Sequence, residues 1–193
     1  MRSTATTLIL VRHSHSEADP EVPPAEWSLS AAGRARARAL ADRLRPLSPD
    51  SIYSSPESKA RETADILAAA LQLLVTAVPA LREHDRTGVP FFHTPGVFEE
   101  HLRRLFESPQ ECVFGNESAA ASLTRFRRAI GEVSGSGARR PLVVTHGTVM
   151  SLYIAAEIGV DAALIWKQLA MPCYAVLGDP RREPFTGVQH LDS

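Results

Sequence analysis

The chain has 193 residues, of which 44% are hydrophobic and 22% are charged, and both values are ordinary for a globular protein. Its 21 basic and 22 acidic side chains leave a formal net charge of −1, which gives no long-range electrostatic reason to bind nucleic acid or an anionic membrane. The longest uncharged run, ILAAALQLLVTAV, is too short to cross a bilayer, and the N-terminus lacks a signal-peptide pattern. Two widely separated cysteines indicate no disulfide framework, so we expect a single cytoplasmic domain over 1–193.

The first part of the chain alternates strand and helix patterns. An apolar run over 6–11 predicts a buried strand, and Ser30 is placed to cap the helix that follows a proline-rich loop. Residues 51–54 predict a second strand, and the Ser-Pro pair at 55–56 predicts the start of a second helix. A third strand is predicted over 74–78.

The segment at about 81–117 departs from this alternation, because it is rich in aromatic residues, proline and charge and shows no strand pattern. We interpret it as a small cap insertion with one helix over 96–107. After it, Asn116 is expected to cap a helix, and residues 141–145 predict a strand that leads directly into another helix. A last core strand is predicted within 171–178.

This order of elements predicts the fold class. Strands that alternate with helices form mostly parallel sheets, and such sheets are covered by helices on both faces. We therefore expect an α/β three-layer sandwich, with a mostly parallel central sheet flanked by helices and a small cap insertion.

Polar side chains follow three of the predicted strands. Arg12 and His13 end the first strand, a pair of serines ends the second, and His146 and Gly147 end a later one. Because chemistry collects beyond the carboxyl ends of the strands in open parallel sheets, we expect these groups to meet. Lys59, in the first turn of the helix after the serines, can reach the same edge. Together these groups form an anion site that suits a phosphoryl group.

The motifs resemble those of the histidine phosphatase superfamily, the phosphoglycerate-mutase-like proteins. VRHS matches the family's Arg-His-Gly opening, SLSAAG its Leu-Ser/Thr-x-x-Gly helix start, and SIYSSPESKARETADIL its strand, Ser-Ser-Pro and Thr-Ala helix. LREH matches the segment that carries the family's acid, GNES its Gly-Glu-Ser, and VVTHGTVM its second His-Gly. Each tripeptide is weak alone, but the ordered set is specific and covers most of the chain, from Leu8 to about Met150.

The resemblance implies a role for each matched residue. His13 would be the nucleophile that takes the phosphoryl group on a ring nitrogen, and Arg12 would bind the phosphate oxygens. His146 would stabilise the transferring group, while Glu83 would protonate the leaving alkoxide and later activate water. Lys59 would supply a second cation. The resemblance implies neither a metal nor an organic cofactor.

Two positions depart from the family's pattern. Lys59 stands where most members have a second arginine, and lysine keeps the charge but loses the bidentate fork, so we expect a weaker grip on phosphate with retained chemistry. Ser14 follows His13 where the family commonly has glycine or alanine, and a serine hydroxyl fits beside a phosphate. Ser14 and Gly147, at a helix N-terminus, are expected to contact the substrate.

Other polar residues leave alternatives open. Three further carboxylates could take the role of Glu83, and these are Asp85, Glu99 and Glu100. Glu117 is expected to cap or flank a helix rather than to bind substrate. The remaining histidines, which are His84, His93, His101 and His190, are expected at the surface or in loops. Four phenylalanines of the insertion are interpreted mainly as its own small core, and these are Phe91, Phe92, Phe98 and Phe106.

Together these expectations favour a phosphatase that acts on a small or partly apolar phosphomonoester, with no nucleic-acid or membrane partner, as a monomer or homodimer. A phosphomutase is the second candidate, a non-catalytic phosphate-binding module is the third, and a phosphoprotein substrate stays possible if the site is open. A metal site built from His13 and His15, as in amidohydrolases, would require a full (β/α)8 barrel, and the chain has too few strand–helix units for one. His15 is therefore expected to be a loop residue near the mouth of the site.

Overall fold

A computed structural model of the protein describes residues 6–178 and 185–191, and a six-stranded sheet forms its centre. The strands are β1 (Leu8–Arg12), β2 (Ser51–Ser54), β3 (Val75–Ala77), β4 (Pro141–Thr145), β5 (Cys173–Leu177) and β6 (Gln189–His190). Across the sheet their order is β3-β2-β4-β1-β5-β6. The first four strands run parallel, whereas β5 is antiparallel to β1 and β6 to β5. The mostly parallel sheet is confirmed, with β6 as an addition that no sequence pattern indicated.

The helices of the described residues cover both faces of the sheet. They are α1 (Ala31–Leu44), α2 (Ser58–Leu71), α3 (Pro95–Glu107), α4 (Ala119–Ser134), α5 (Gly147–Ile158) and α6 (Ala162–Gln168). On β1, Leu8 and Leu10 pack with residues of α4, α5 and α6, while the alternate residues Ile9 and Val11 pack with α1 and α2. The three-layer sandwich is therefore confirmed. Within the described part of the chain, no helix combines the length and the apolar character needed to cross a membrane.

The start of α2 differs from the sequence prediction. The backbone N–H of Ser55 donates to Val144 O at 3.0 Å, so the chain still pairs with β4 beyond the end of β2. The helix begins only at Ser58, and Glu57 is its N-cap residue. The Ser-Pro pair at 55–56 therefore precedes the helix instead of starting it.

Two other element ends also lie elsewhere than predicted. Asn116 does not cap α4, because its side-chain amide donates to Thr87 O at 3.0 Å inside the insertion. The N-cap residue is Ser118, whose hydroxyl accepts from Ala121 N at 3.2 Å. β3 is shorter than predicted, and the side chain of Leu74 before it is 89% exposed.

The insertion at about 81–117 contains α3 and has a small hydrophobic core. The buried residues of this core, which include the first residue of α4 and a leucine of α5, are Leu102, Leu105, Phe114, Ala119 and Leu152. The partly buried phenylalanines Phe92, Phe98 and Phe106 pack against this cluster, which confirms the interpretation of these three as core residues. Phe91 instead contacts Trp27, with ring centroids 6.0 Å apart.

Candidate active site

The carboxyl ends of β1, β2 and β4 meet at one edge because these strands are parallel neighbours. The alignment continues beyond the strands, since His13 N donates to Thr145 O at 2.9 Å. As a result His13 and His146 lie side by side, with ring centroids 5.2 Å apart and planes inclined by 61°. The structure therefore brings together the two histidines that the sequence placed at the ends of separate strands.

His13 is held as a neutral imidazole with one defined tautomer. Its Nδ1 lies 2.7 Å from Ser14 O, and because a carbonyl oxygen can only accept, Nδ1 carries the hydrogen. Burial lowers the pKa of His13 well below its usual range, and the charges of His146, Lys59 and Arg12 act in the same direction. Nε2 therefore keeps a lone pair at neutral pH, which a nucleophilic imidazole needs.

His146 is fully buried, and its Nε2 lies 2.8 Å from Ser55 Oγ. Its Nδ1 has no hydrogen-bond partner within residues 6–178 and 185–191. Burial lowers the pKa of His146 to about 3, and the charge of Lys59 contributes, while Glu83 acts in the opposite direction. The ring is therefore neutral at physiological pH and has one nitrogen left to bond a ligand.

The guanidinium of Arg12 lies directly against the N-terminus of α5. A Cβ atom placed on Gly147 would come within 3.1 Å of both Cζ and Nε of Arg12, so a larger residue would require the guanidinium to shift by a few tenths of an ångström. Nη1 donates to Leu169 O, whereas Nε is buried and finds no partner in the described part of the chain. Gly147 thus makes room for the cation, and a direct contact between Gly147 and substrate stays a prediction.

The ammonium of Lys59 reaches the same edge and is only 4% exposed. It donates to Glu57 Oε2 at 3.0 Å and to Pro24 O, and it lies 5.8 Å from the centroid of the Trp27 ring. Burial lowers the pKa of Lys59, and the carboxylate of Glu57 opposes this effect. Lys59 therefore lies at the edge shared with the site histidines, and its charge lowers the pKa of both.

Glu83 lies across the N-terminus of α5. Its Oε2 accepts from Thr148 N at 3.0 Å, and its Oε1 accepts from Val149 N at 3.1 Å and from His84 N at 2.9 Å. Burial acts to raise the pKa of Glu83, but His146, Arg86 and these backbone donors outweigh it and leave the pKa lowered. The carboxylate is therefore ionised at neutral pH, in a position that favours negative charge.

The alternative carboxylates lie in other environments. Asp85 accepts from Thr87 N at 3.0 Å within the insertion, and Glu99 and Glu100 are exposed on α3. Glu117 flanks α4, as expected, and its carboxylate forms an ion pair with Arg125 at 2.5 Å. Among the carboxylates that the sequence offered for this role, Glu83 is thus the one that lies at the N-terminus of α5 and acts on His146.

Ser14 does not present its hydroxyl to the anion site. The side chain is fully buried, and Oγ donates its single hydrogen to Gly33 O at 2.8 Å. The backbone N–H of Ser14 donates to Thr63 Oγ1 at 3.1 Å. A buried hydroxyl requires an acceptor, and here the acceptor belongs to α1. The expected phosphate contact of Ser14 is therefore not supported, and the residue ties the end of β1 to α1 and α2.

His15 and His84 are sequence neighbours of site residues and lie in different environments. His15 is exposed, as predicted for a loop residue near the mouth. His84 lies in a loop but is only 2% exposed, since its Nε2 lies 2.8 Å from Glu117 O and its ring centroid lies 4.9 Å from that of Phe114. A surface position for His84 is therefore wrong. Among the described residues, no group of three or more His, Cys, Asp or Glu side chains could hold a metal ion.

Sequence reasoning missed Glu57, which touches Lys59 and the segment of Glu83. An acidic residue at the start of a helix is common, since it interacts favourably with the helix dipole, so its position gave no distinct signal. Ser55 was predicted as the end of a strand and the start of a helix, and its contact with His146 depends on β2 and β4 being neighbours.

Comparisons with known proteins agree with this geometry. The sequence model of the histidine phosphatase superfamily (branch 1) matches residues 8–178. Phosphoserine phosphatase 1 of Hydrogenobacter thermophilus is 32% identical over 170 residues, which represent 82% of this chain and 79% of that protein.

Solved structures show the same fold. A mycobacterial glucosyl-3-phosphoglycerate phosphatase superposes with a TM-score of 0.71 at 24% identity, over 90% of both chains. A phosphoserine phosphatase of Entamoeba histolytica, in complex with 3-phosphoglyceric acid, gives a TM-score of 0.73 at 19% identity, over 96% of this chain and 97% of that one. The match of the family model over residues 8–178 agrees with the motifs and the site geometry. The chain therefore belongs to the histidine phosphatase superfamily.

Proposed function

We propose that this protein is a metal-independent phosphomonoester hydrolase that acts on small-molecule phosphates through a phosphohistidine on His13. The observation that carries the proposal is the state of the His13 ring. Its Nδ1–H is held by Ser14 O at 2.7 Å, and burial keeps the ring neutral by lowering its pKa. The free Nε2 lies among cations, which lower the charge on the oxygens of a transferring phosphoryl group.

In the first step, Nε2 of His13 attacks phosphorus, a nitrogen–phosphorus bond forms, and the bond to the leaving oxygen breaks. Arg12 and Lys59 bind the phosphoryl oxygens, and the buried Nδ1 of His146, which has no described partner, is suited to donate to one of them. Glu83 is ionised before substrate binds, but a nearby phosphate dianion favours the protonated carboxyl because like charges repel. Glu83 then donates this proton to the leaving oxygen.

In the second step, water attacks phosphorus and the nitrogen–phosphorus bond breaks. Glu83, which became a carboxylate in the first step and receives N–H groups of α5, accepts a proton from the water and returns to its protonated form. The products are an alcohol and inorganic phosphate, and His13 returns to its neutral form. General acid–base groups of this kind contribute about 10²–10⁴-fold to rate.

The substrate proposal draws on the relatives and on the site entrance. Two of the similar proteins are named phosphoserine phosphatases, so phosphoserine is the first natural substrate to test. The aromatic pair of Trp27 and Phe91, beside Lys59, favours a leaving group with some apolar surface.

The test is hydrolysis of a generic aryl phosphate, then of phosphoserine, in excess chelator by the wild type and by His13→Ala. We expect turnover to survive chelation and to vanish in His13→Ala. The matched control is His15→Ala, which alters an exposed histidine two positions away and should keep wild-type turnover.

Other results would assign the site differently. Loss of activity on chelation would show a metal enzyme and contradict the proposal. Phosphate binding without hydrolysis of any monoester would favour the binding module, and transfer of the phosphoryl group to a second alcohol faster than to water would favour the mutase.

A further inference from the structure

Glu57 contacts three of the residues assigned to the reaction. Its Oε2 accepts from Lys59 Nζ at 3.0 Å, and its Oε1 accepts from Glu83 N at 2.7 Å. The same Oε1 lies 3.7 Å from His146 Nε2, and the Glu57 side chain is only 12% exposed. One carboxylate thus joins the second cation of the site, the segment that carries the acid, and the second histidine.

The contacts of Lys59 give this carboxylate a specific consequence. A lysine ammonium has three donors on a flexible stem, and it lacks the fixed fork of an arginine. Here Glu57 and Pro24 O take two of the three donors, and the ring of Trp27 lies 5.8 Å away. The third donor has no hydrogen-bond partner among residues 6–178 and 185–191, and the two hydrogen bonds restrain the orientation of the ammonium.

We propose that Glu57 is a positioning residue that directs the third N–H of Lys59 towards the transferring phosphoryl group and fixes Glu83 relative to it. The inference rests on the proposed function, because it concerns the geometry of that same reaction. It explains how a lysine serves where the family most often has an arginine: the Glu57 carboxylate and the Pro24 carbonyl supply the orientation that a guanidinium fork has by itself.

The charge of Glu57 makes the proposal testable. A carboxylate beside the anion site repels bound phosphate, so it weakens ground-state binding while it holds the groups that act in the transition state. Removal of this charge should therefore tighten phosphate binding and slow turnover at the same time. A substitution that merely damages the fold would weaken phosphate binding and slow turnover together.

The first experiment measures kcat with an aryl phosphate and the Kd of inorganic phosphate for wild type and Glu57→Gln. Glutamine can still accept from Glu83 N through its single oxygen, but its amide nitrogen cannot accept from Lys59, so the variant removes the charge and the contact with Lys59 together. We expect kcat to fall about tenfold or more, because small misplacements of reacting groups cost up to about 10²-fold, while phosphate binds several-fold more tightly.

The matched control is Glu62→Gln on the same helix. Glu62 pairs with Arg34 at 2.5 Å and accepts from Leu29 N at 2.8 Å, so it makes the same kinds of contact away from the site. Both quantities should stay within about twofold of wild type in this variant, as for a partly exposed ion pair. A Glu57→Gln variant that behaves like this control, or that loses phosphate affinity together with kcat, would overturn the proposal.

Measuring the effect of Glu57→Gln in a Lys59→Met background separates a role in positioning Lys59 from a purely structural role of Glu57. In Lys59→Met the carboxylate of Glu57 has no cation to orient and only repels phosphate. Adding Glu57→Gln to this background should therefore raise kcat/KM, although the same substitution lowers kcat in the wild type. An equal loss in both backgrounds would show a structural role and contradict the inference.

The two proposals fail in different ways. A wild type that binds phosphate, measured by calorimetry, but turns over no monoester would refute the hydrolase and with it the positioning role. If the wild type is active and Glu57→Gln changes neither kcat nor phosphate affinity, the positioning role alone is refuted.

Discussion

The sheet edge that carries His13 and the insertion that carries Glu83 are built from different interactions. At the sheet edge, the ends of buried aliphatic strands are aligned by backbone hydrogen bonds, and a charged or polar residue follows each strand. The segment of Glu83 is held instead by side chains. Arg125 donates to Ala80 O at 2.8 Å, to Arg82 O at 2.9 Å and to Glu83 O at 3.1 Å.

This difference assigns separate tasks to the two regions. The anion site belongs to the sheet, where strand register fixes the histidines and Arg12 to one another. The proposed acid, Glu83, belongs to the insertion, whose aromatic core is a cluster separate from those that pack against the strands. Substitutions at the sheet edge should therefore affect phosphoryl transfer from every substrate, whereas those in the insertion should alter proton transfer and stability.

Glu83→Gln should produce the largest loss, about 10²–10⁴-fold in turnover of an alkyl phosphate such as phosphoserine, because it removes the acid and base. The loss should be smaller in the first step with an aryl phosphate, whose leaving group needs little protonation. Pre-steady-state kinetics with the two substrates check this. The control is Glu99→Gln on the exposed face of α3, and a loss equal to that of Glu83→Gln would reassign the acid.

Gly147→Ala should reduce turnover by up to about tenfold with every substrate, since its Cβ would lie 3.1 Å from Arg12 Cζ and the guanidinium would have to shift by a few tenths of an ångström. Steady-state kinetics and inorganic phosphate inhibition check this. Gly131→Ala is the control, because a Cβ at this helical position meets nothing within 4 Å. Unchanged phosphate inhibition in Gly147→Ala would mean that Arg12 does not bind the phosphoryl group.

Arg125→Met should lower the free energy of unfolding by about 2–4 kcal/mol, because it leaves the Glu117 carboxylate without its nearest partner and frees three carbonyl groups. Urea unfolding checks this value. Arg128→Met removes an exposed pair with Glu132 on the same helix and should have little effect. Equal stabilities for the two variants would contradict the account of how the insertion is held.

The smallest effect should appear in the pH dependence of stability. His146 has a pKa of about 3 in the folded protein against 6.5 ordinarily, so the unfolded chain binds more protons between these values and stability falls as pH falls through that window. The loss is at most about 1.4 kcal/mol per pH unit for one histidine. Unfolding free energies of wild type and His146→Asn at several pH values between about 5 and 7, where carboxylates stay ionised, should show a shallower slope in the variant.

The sequence was informative where local patterns decide the structure. Apolar runs that stop at Arg12 and at His146 located two parallel strands, and helical spacing placed Lys59 at their shared edge. The sequence was not informative where tertiary packing decides which of several possible hydrogen-bond partners a side chain contacts. The hydroxyl of Ser14 could bond a phosphate or a carbonyl, and only the approach of Gly33 decides for the carbonyl.

The same limit applies to Glu57 and to the start of α4. Either Asn116 or Ser118 could cap the helix from sequence alone, but Asn116 is already bonded to Thr87 O. Glu57 could be a solvated acid at a helix start, and its contacts with Lys59 and Glu83 exist only because the insertion packs beside α2. Side-chain choices of this kind depend on residues far apart in the chain.

The most direct test of the central claim is detection of the phosphoenzyme in Glu83→Gln, where loss of the base should slow hydrolysis of the intermediate. The variant would be mixed with an aryl phosphate, quenched in alkali, in which phosphohistidine survives, and mapped by peptide mass spectrometry. The account predicts one phosphoryl group on His13, lost on acidification and absent when His13→Ala is added. No phosphoenzyme, or a phosphoryl group on any other residue, would contradict it.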